Sequence, residues 1–312
     1  MNETNGTGNW AGVRKRAGNL RVPPALMRLG AQQLGRRVLD PGLTWEVQRR
    51  RLDQLTRGAV VPRGTTVTES TMNGVRAEVV TVGGARPERT VVHFHGGGYC
   101  VGSARTARAW AAHLSARAGC RVVLPEYRLA PEHPYPAALE DARAVMKALL
   151  RDVTPASVVV SGDSAGGGLA LSAMLAWRNG SEILPAGCIL VSPWLDLSRD
   201  RRDRPDLVRR DVLLSPGWLA ACAAAYAPSD RADPSVSPLF AAPGGLPGRA
   251  ARVPAGTGAP ASRRARGRPG RDERAAGRRA RLLGGGVGRL GRRGLALALA
   301  FHVGDLLVGA PR

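Results

Sequence analysis

Residues 162–166 read Gly-Asp-Ser-Ala-Gly, directly after the apolar run Ser-Val-Val-Val-Ser at 157–161 and before Gly-Leu-Ala-Leu at 168–171. This order predicts a strand, a tight turn and a helix. Glycines at both ends let the strand and helix backbones approach, and the turn holds the serine hydroxyl above the sheet. Because a glycine-rich turn before a helix is common, the pattern alone only nominates Ser164 as a nucleophile.

A second motif, His-Gly-Gly-Gly-Tyr, occupies residues 95–99 and follows the strand-like run Thr-Val-Val-His-Phe. Three consecutive glycines leave a row of backbone N–H groups that no side chain obstructs, which suits the stabilisation of an oxyanion. The amide of Ala165, the residue after the candidate nucleophile, would add a further donor. The alternatives are a flexible turn or a phosphate-binding loop. The Lys-Ser/Thr or G-x-G-x-x-G pattern of phosphate loops is not present here.

These two motifs belong to a longer set of sequence features in the same order. The others are Tyr-Arg-Leu-Ala-Pro-Glu-His at 127–133, Ser-Pro-Trp-Leu-Asp-Leu at 192–197 and Asp-Pro-Ser-Val-Ser-Pro-Leu-Phe at 233–240. Together they resemble the hormone-sensitive-lipase family of α/β-hydrolases over about residues 60–246. The resemblance implies an α/β-hydrolase fold: a mostly parallel sheet with helices on both faces and a helical cap.

The resemblance also implies an activity and a set of site residues. The activity is that of a serine carboxylesterase, which removes a short acyl group, such as acetyl, from a small metabolite through an acyl-enzyme. The matching oxyanion positions are Gly97, Gly98 and Ala165. His95 begins the glycine motif and is expected to order the loop rather than to transfer protons.

The chain is predicted to divide into three parts. Residues 1–58 hold an N-terminal segment and helices that either cap the active site or merely cover one sheet face. Residues 59–246 form the hydrolase core, because strands predicted at 75–82, 91–94, 121–124, 158–160 and 188–191 alternate with helices there. A cap insertion is expected near 200–228. In that insertion Trp218 and Tyr226 are expected either to line a substrate pocket or to belong to the core.

The third part, residues 247–312, is aberrant in composition. From Leu246 onward the chain holds 15 Arg, 14 Gly and 13 Ala, with Phe301 as its only aromatic residue. Such a segment buries too little apolar surface to offset the entropy of ordering it. Three explanations stay open: a shifted reading frame of a GC-rich gene, a genuine basic tail that binds nucleic acid or acidic partners, or a hydrolase-like binding protein that has lost its base.

A serine hydrolase also needs a base and an acid, which in this fold follow the nucleophile in the order Ser, Asp/Glu, His. Four of the five histidines precede Ser164, so His302 is the predicted base. Asp272 is the predicted acid, with Glu273 and Asp196 as substitutes. If no base works, the alternative function is a non-catalytic ligand-binding protein on the same scaffold.

Composition limits the remaining function classes. The formal net charge is +22, yet only Lys15 and Lys147 are lysines among 46 basic residues, which is typical of a GC-rich gene rather than of nucleic-acid binding. We therefore expect neither a specific nucleic acid nor a membrane as partner. The family resemblance implies a small acyl ester or acetylated metabolite as substrate, as in secondary metabolism.

Cysteine spacing and apolar segments bear on cofactors and location. The four cysteines form no CxxC pair, so neither a zinc site nor a disulfide framework is expected, and the predicted chemistry uses no metal or organic cofactor. A signal-like apolar region is not evident near residue 1, and the apolar stretch at 295–303 is too short to span a bilayer. A cytoplasmic location is predicted.

Overall fold

The protein is built around one seven-stranded sheet with strand order β1-β2-β4-β3-β5-β6-β7. The computed structural model describes residues 29–30, 32–33, 35, 37–203, 211, 213–242, 244–247 and 251–253. The strands are β1 Thr65–Met72, β2 Val75–Val82, β3 Arg86–Phe94, β4 Cys120–Pro125, β5 Val158–Asp163, β6 Gly187–Val191 and β7 Ala251–Val253. Strands β3 to β7 run parallel, whereas β2 is antiparallel to both of its neighbours.

Register brings the carboxyl ends of three parallel strands to one edge of the sheet. Phe94 at the end of β3 is level with Gly162 in β5, and Asp163 is level with Val191 at the end of β6. The turn that contains Ser164 therefore leaves a central strand between two parallel neighbours. Loops at this edge carry the chemistry in sheets of this kind.

Helices cover both faces of the sheet. They are α1 Trp45–Thr56, α2 Ala104–Ala118, α3 Ala137–Asp152, α4 Ala165–Asn179 and α5 Pro216–Tyr226. Because successive strand residues point to opposite faces, Val91 packs in the cluster that contains α2, whereas Val92 packs with α3 and α4. The predicted mostly parallel sheet with helices on both faces is confirmed.

The structure adds two strands to those read from the sequence. The first, β1, lies at the edge of the sheet and pairs with β2. Its sequence, Thr-Thr-Val-Thr-Glu-Ser-Thr-Met, contains no apolar run, and the apolar pattern therefore did not predict it. The last, β7, pairs with β6 and so extends the sheet past residue 246. Of the two interpretations of Trp218 and Tyr226, the structure supports the core, since each side chain is about 2% exposed.

All four cysteines, Cys100, Cys120, Cys188 and Cys222, are buried free thiols. Among the described residues, no helix combines the length and the apolar character needed to cross a bilayer.

Candidate active site

Ser164 forms a sharp corner between β5 and α4. Its φ of 51° and ψ of −120° are unusual for a residue with a side chain. Three backbone hydrogen bonds hold the corner. The Ser164 N–H donates to the Val191 carbonyl at 3.0 Å, and the Ser164 carbonyl accepts from the N–H groups of Trp194 at 2.8 Å and Gly168 at 3.1 Å. Ser164 is partly exposed. The predicted strand, turn and helix are present, with a serine held in a strained conformation at their junction.

The flanking glycines are required by close backbone approach. A Cβ added to Gly162 would overlap the carbonyl oxygen of Gly166, and one added to Gly166 would overlap the carbonyl oxygen of Phe94. The first contact closes the turn on itself, while the second packs α4 against the end of β3. Alanine at either site would push the serine corner away from the glycine loop that follows β3.

The glycine loop presents backbone N–H groups without local partners. The Gly97 carbonyl accepts the N–H groups of Cys100 and Val101, each at 3.0 Å. Because the peptide unit is planar and trans, the Gly98 N–H points opposite to that carbonyl. Neither Gly97 nor Gly98 donates its N–H to any residue that the structure describes. Ala165 begins α4, where backbone donors have no intrahelical acceptor.

A buried carboxylate ties this loop to the serine corner. Asp163 Oδ1 accepts the Gly96 N–H at 2.9 Å and lies 3.2 Å from His93 Nε2. The other ring nitrogen of His93 lies 3.1 Å from Ser161 Oγ, and the ring stacks on Trp110. The geometry fits a His93 Nε2–H that donates to Asp163, with Nδ1 facing the Ser161 hydroxyl. The contact between His93 and Asp163 was not predicted from the sequence, although Asp163 lies in the serine motif and His93 lies two residues before the glycine motif.

His95 is part of the scaffold rather than a proton carrier. It is about 1% exposed, its Nδ1 lies 2.8 Å from the Gly96 carbonyl oxygen, and its ring stacks on Tyr127. The Tyr127 hydroxyl donates to the His95 carbonyl at 2.7 Å. Burial lowers the pKa of His95 to about 4, so the imidazole is neutral at pH 7. These contacts agree with the expectation that His95 orders the loop.

Comparison with known proteins identifies the family. Residues 91–256, more than half of the chain, match the family described as having the α/β hydrolase fold. The chain belongs to this family. A solved esterase from the bacterial hormone-sensitive lipase family superposes with a TM-score of 0.66 at 33% identity, covering 71% of this chain and 75% of that one. The α/β-hydrolase family predicted from the motifs is thereby confirmed.

Two relatives add to this comparison. LipR of Mycobacterium tuberculosis, provisionally named as an acetyl-hydrolase, is 40% identical over 199 residues, which are 63% of this chain and 64% of LipR. An acetyl-hydrolase of Streptomyces hygroscopicus is 38% identical over 181 residues, which are 54% of this chain and 60% of that protein. The α/β-hydrolase chain thus spans less than two thirds of the length of these relatives.

The predicted acid and base of this α/β-hydrolase are not among the residues brought together here. Asp272, Glu273 and His302 lie outside the described residues. Asp196, the other substitute acid, accepts the backbone N–H and the hydroxyl of Ser198 and lies 3.1 Å from Arg199 Nε. Its carboxylate is therefore engaged in its own loop.

Within the part of the chain that the structure describes, no histidine hydrogen-bonds Ser164, and no cluster of three or more His, Cys, Asp or Glu side chains could hold a metal.

We expect Gly97→Ala to lower kcat by at least about 10²-fold, because the loop must move before the new methyl group fits. A Cβ at Gly97 would overlap the Val101 carbonyl oxygen, and the φ of +129° is strained for alanine. The matched control is Gly119→Ala, which also has a positive φ, +60°, but has open space around the new Cβ. Gly119→Ala should lose about 1 kcal/mol of stability and keep kcat. Equal kcat values for both variants, measured with an ester substrate, would contradict a role for Gly97 in presenting the oxyanion donors.

The buried His95 predicts an acid-sensitive fold. Its folded pKa, about 4, lies below the ordinary 6.5. As the pH falls below 6.5, the imidazole becomes protonated in the unfolded chain but stays neutral in the folded protein. The free energy of unfolding therefore declines between about pH 6.5 and 4 and levels off below that range. His95 alone should account for roughly 3 kcal/mol of loss over this window.

Urea unfolding of the parent and of His95→Asn at pH 7.5 and 4.5 checks this expectation. The variant should show a flatter pH dependence, whereas His113→Gln, whose ring contacts the Val60 carbonyl away from the serine corner, should match the parent. Parallel curves for the parent and His95→Asn would refute it.

Proposed function

We propose that this protein is a serine carboxylesterase that removes a short acyl group, acetyl in the first instance, from a small metabolite. The observation that carries the proposal is the partly exposed Ser164 at a positive-φ corner, joined through Asp163 to the glycine loop. In that loop the N–H groups of Gly97 and Gly98 have no partner among the described residues. The esterase and acetyl-hydrolase names of its relatives support the same reaction class. We further propose a cytoplasmic location and a small-molecule substrate.

In the proposed mechanism the acyl carbonyl oxygen accepts hydrogen bonds from the amides of Gly97, Gly98 and Ala165. These donors stabilise the charge that develops as Ser164 Oγ attacks the carbonyl carbon. The serine proton passes to the base and then to the departing alcohol, which leaves an acyl-enzyme. Water activated by the same base then releases the acid and restores the serine.

For the base we propose His302, oriented by Asp272, from their order along the chain. Both follow residue 256, where the family match ends. A shifted reading frame in the gene would replace both residues, so resequencing the codons for residues 246–252 tests the assignment directly. A corrected frame with an aspartate after a strand and a late histidine would take over both roles.

The proposed function is tested by mixing the protein with p-nitrophenyl acetate. We expect release of p-nitrophenolate in a burst followed by turnover, and an acetyl group on the peptide that contains Ser164 after acid quenching. A series of p-nitrophenyl esters should show kcat/KM falling as the acyl chain lengthens.

The same measurement distinguishes the esterase from the alternative of a non-catalytic ligand-binding protein. That alternative is favoured by one observation, namely that no histidine of the described segments hydrogen-bonds Ser164. Saturable ester binding without phenolate release and without an acetylated Ser164 would support it and reject the esterase.

A further inference from the structure

Arg49 of α1 joins the N-terminal helix to two loops of the core. Its Nε donates to the Cys100 carbonyl at 2.7 Å, and its Nη2 donates to the Ala130 carbonyl at 2.8 Å. Both terminal nitrogens also bind the Glu132 carboxylate, at 2.9 and 2.7 Å. One planar guanidinium thus holds the end of the glycine loop and the segment at 130–132 in a fixed relation.

The bond to Cys100 reaches the turn that sets the glycine loop. The Cys100 N–H closes that turn on the Gly97 carbonyl, which in turn fixes the direction of the Gly98 N–H. Arg49 holds the carbonyl on the other side of the same residue. A change in the position of Arg49 is therefore transmitted to Gly98 through two peptide units.

The residue before Arg49 supports the loop from a second direction. Gln48 is buried, and its Oε1 accepts the Trp218 Nε1–H from α5 at 2.7 Å. Trp218 and Cys222 press against Gly98, since a Cβ there would stand 3.0 Å from the Trp218 ring and 2.6 Å from Cys222 Sγ. Adjacent residues of α1 therefore hold the glycine loop from two sides.

We propose that Arg49 is a positioning residue for the oxyanion donors, so that α1 is part of the catalytic framework and not only a cover over one sheet face. This inference rests on the proposed esterase function. The inference is based on the two hydrogen bonds from Arg49 to backbone carbonyls, because hydrogen bonds from a charged donor to a partly buried acceptor are strong. The ion pair with Glu132 is secondary, since Glu132 is 54% exposed and exposed ion pairs contribute little.

The first test is kinetic and uses p-nitrophenyl acetate. Arg49→Ala should lower kcat by about 10²-fold while KM stays within about threefold, because donors displaced from the oxyanion weaken transition-state binding more than substrate binding. Added ethylguanidinium should restore part of the lost kcat. Arg49→Lys, which keeps the charge but not the fork of donors, should lie between the parent and Arg49→Ala.

Two controls separate this role from charge and from general damage. Arg50→Ala removes an exposed arginine from the same helix and should leave kcat unchanged. Glu132→Gln removes the ion pair but keeps both carbonyl bonds, so kcat should stay within about threefold of the parent.

Hydrogen exchange gives a readout that needs no turnover. In Arg49→Ala the backbone amides of residues 96–102 should exchange faster than in the parent, while those of β5 should not change. Unaltered kcat, or unaltered exchange in this loop, would overturn the proposal. If Arg49→Ala does not fold, Arg49→Lys decides by the same two measurements. If the parent hydrolyses no ester, the proposed function fails, and the exchange measurement still tests whether Arg49 orders the glycine loop.

Discussion

Ser164→Ala is expected to lower kcat for p-nitrophenyl acetate by about 10⁴-fold or more, because no acyl-enzyme can form without the hydroxyl. Alanine and serine tolerate the positive φ of this corner about equally well, so the backbone bonds to Val191 and Trp194 should persist. The melting temperature should therefore stay within a few degrees of the parent. Initial rates with saturating ester, together with a thermal scan of the same preparations, measure both quantities.

The matched control is Ser229→Ala, an exposed serine in the loop after α5. It should match the parent in kcat and in the acetylated peptide recovered after quenching. If Ser164→Ala kept more than about a tenth of the parental kcat, the nucleophile would have to be another residue. Such a result would contradict the proposed mechanism while leaving the family assignment intact.

The serine corner and the glycine loop were readable from the sequence because their geometry is locally encoded. At Gly162 and Gly166 any Cβ would overlap a backbone oxygen, and at Gly97 the backbone adopts a φ of +129°. Only glycine satisfies such conditions without strain, so the motif and the geometry imply each other. The alternation of apolar strands with amphipathic helices likewise predicted the parallel part of the sheet.

Long-range polar contacts were not readable in the same way. Arg49 binds carbonyls 51 and 81 residues away, and His93 contacts Ser161 on the neighbouring strand, 68 residues later in the chain. The sequence holds 46 basic residues, and nothing near Arg49 distinguishes it from the exposed Arg50. Strand β1 was missed for a related reason: its pairing with β2 is set by the backbone, while its side chains are mostly polar.

The catalytic base depends on a different kind of argument, because chain order and exclusion are the only grounds for His302. Among the four histidines that precede Ser164, His93 is engaged by Asp163 and Ser161, and His95 is buried with a depressed pKa. His113 contacts the Val60 carbonyl. These contacts leave none of the three free to take the serine proton. The fourth, His133, is an exposed side chain that forms no hydrogen bond with Ser164. Exclusion among these four histidines therefore favours a histidine later in the chain.

His302→Gln is accordingly expected to lower kcat by about 10³- to 10⁴-fold, because glutamine cannot carry the proton from Ser164 to the leaving alcohol. In the parent, kcat/KM should fall as the pH drops through the ordinary histidine pKa of about 6.5, because a protonated base cannot accept the serine proton. The residual rate of the variant should show no such dependence on pH. His113→Gln serves as the matched control and should keep both the rate and the pH profile. Parental kinetics in His302→Gln would remove His302 from the mechanism, and the base of the active protein would then have to be another residue of the same chain.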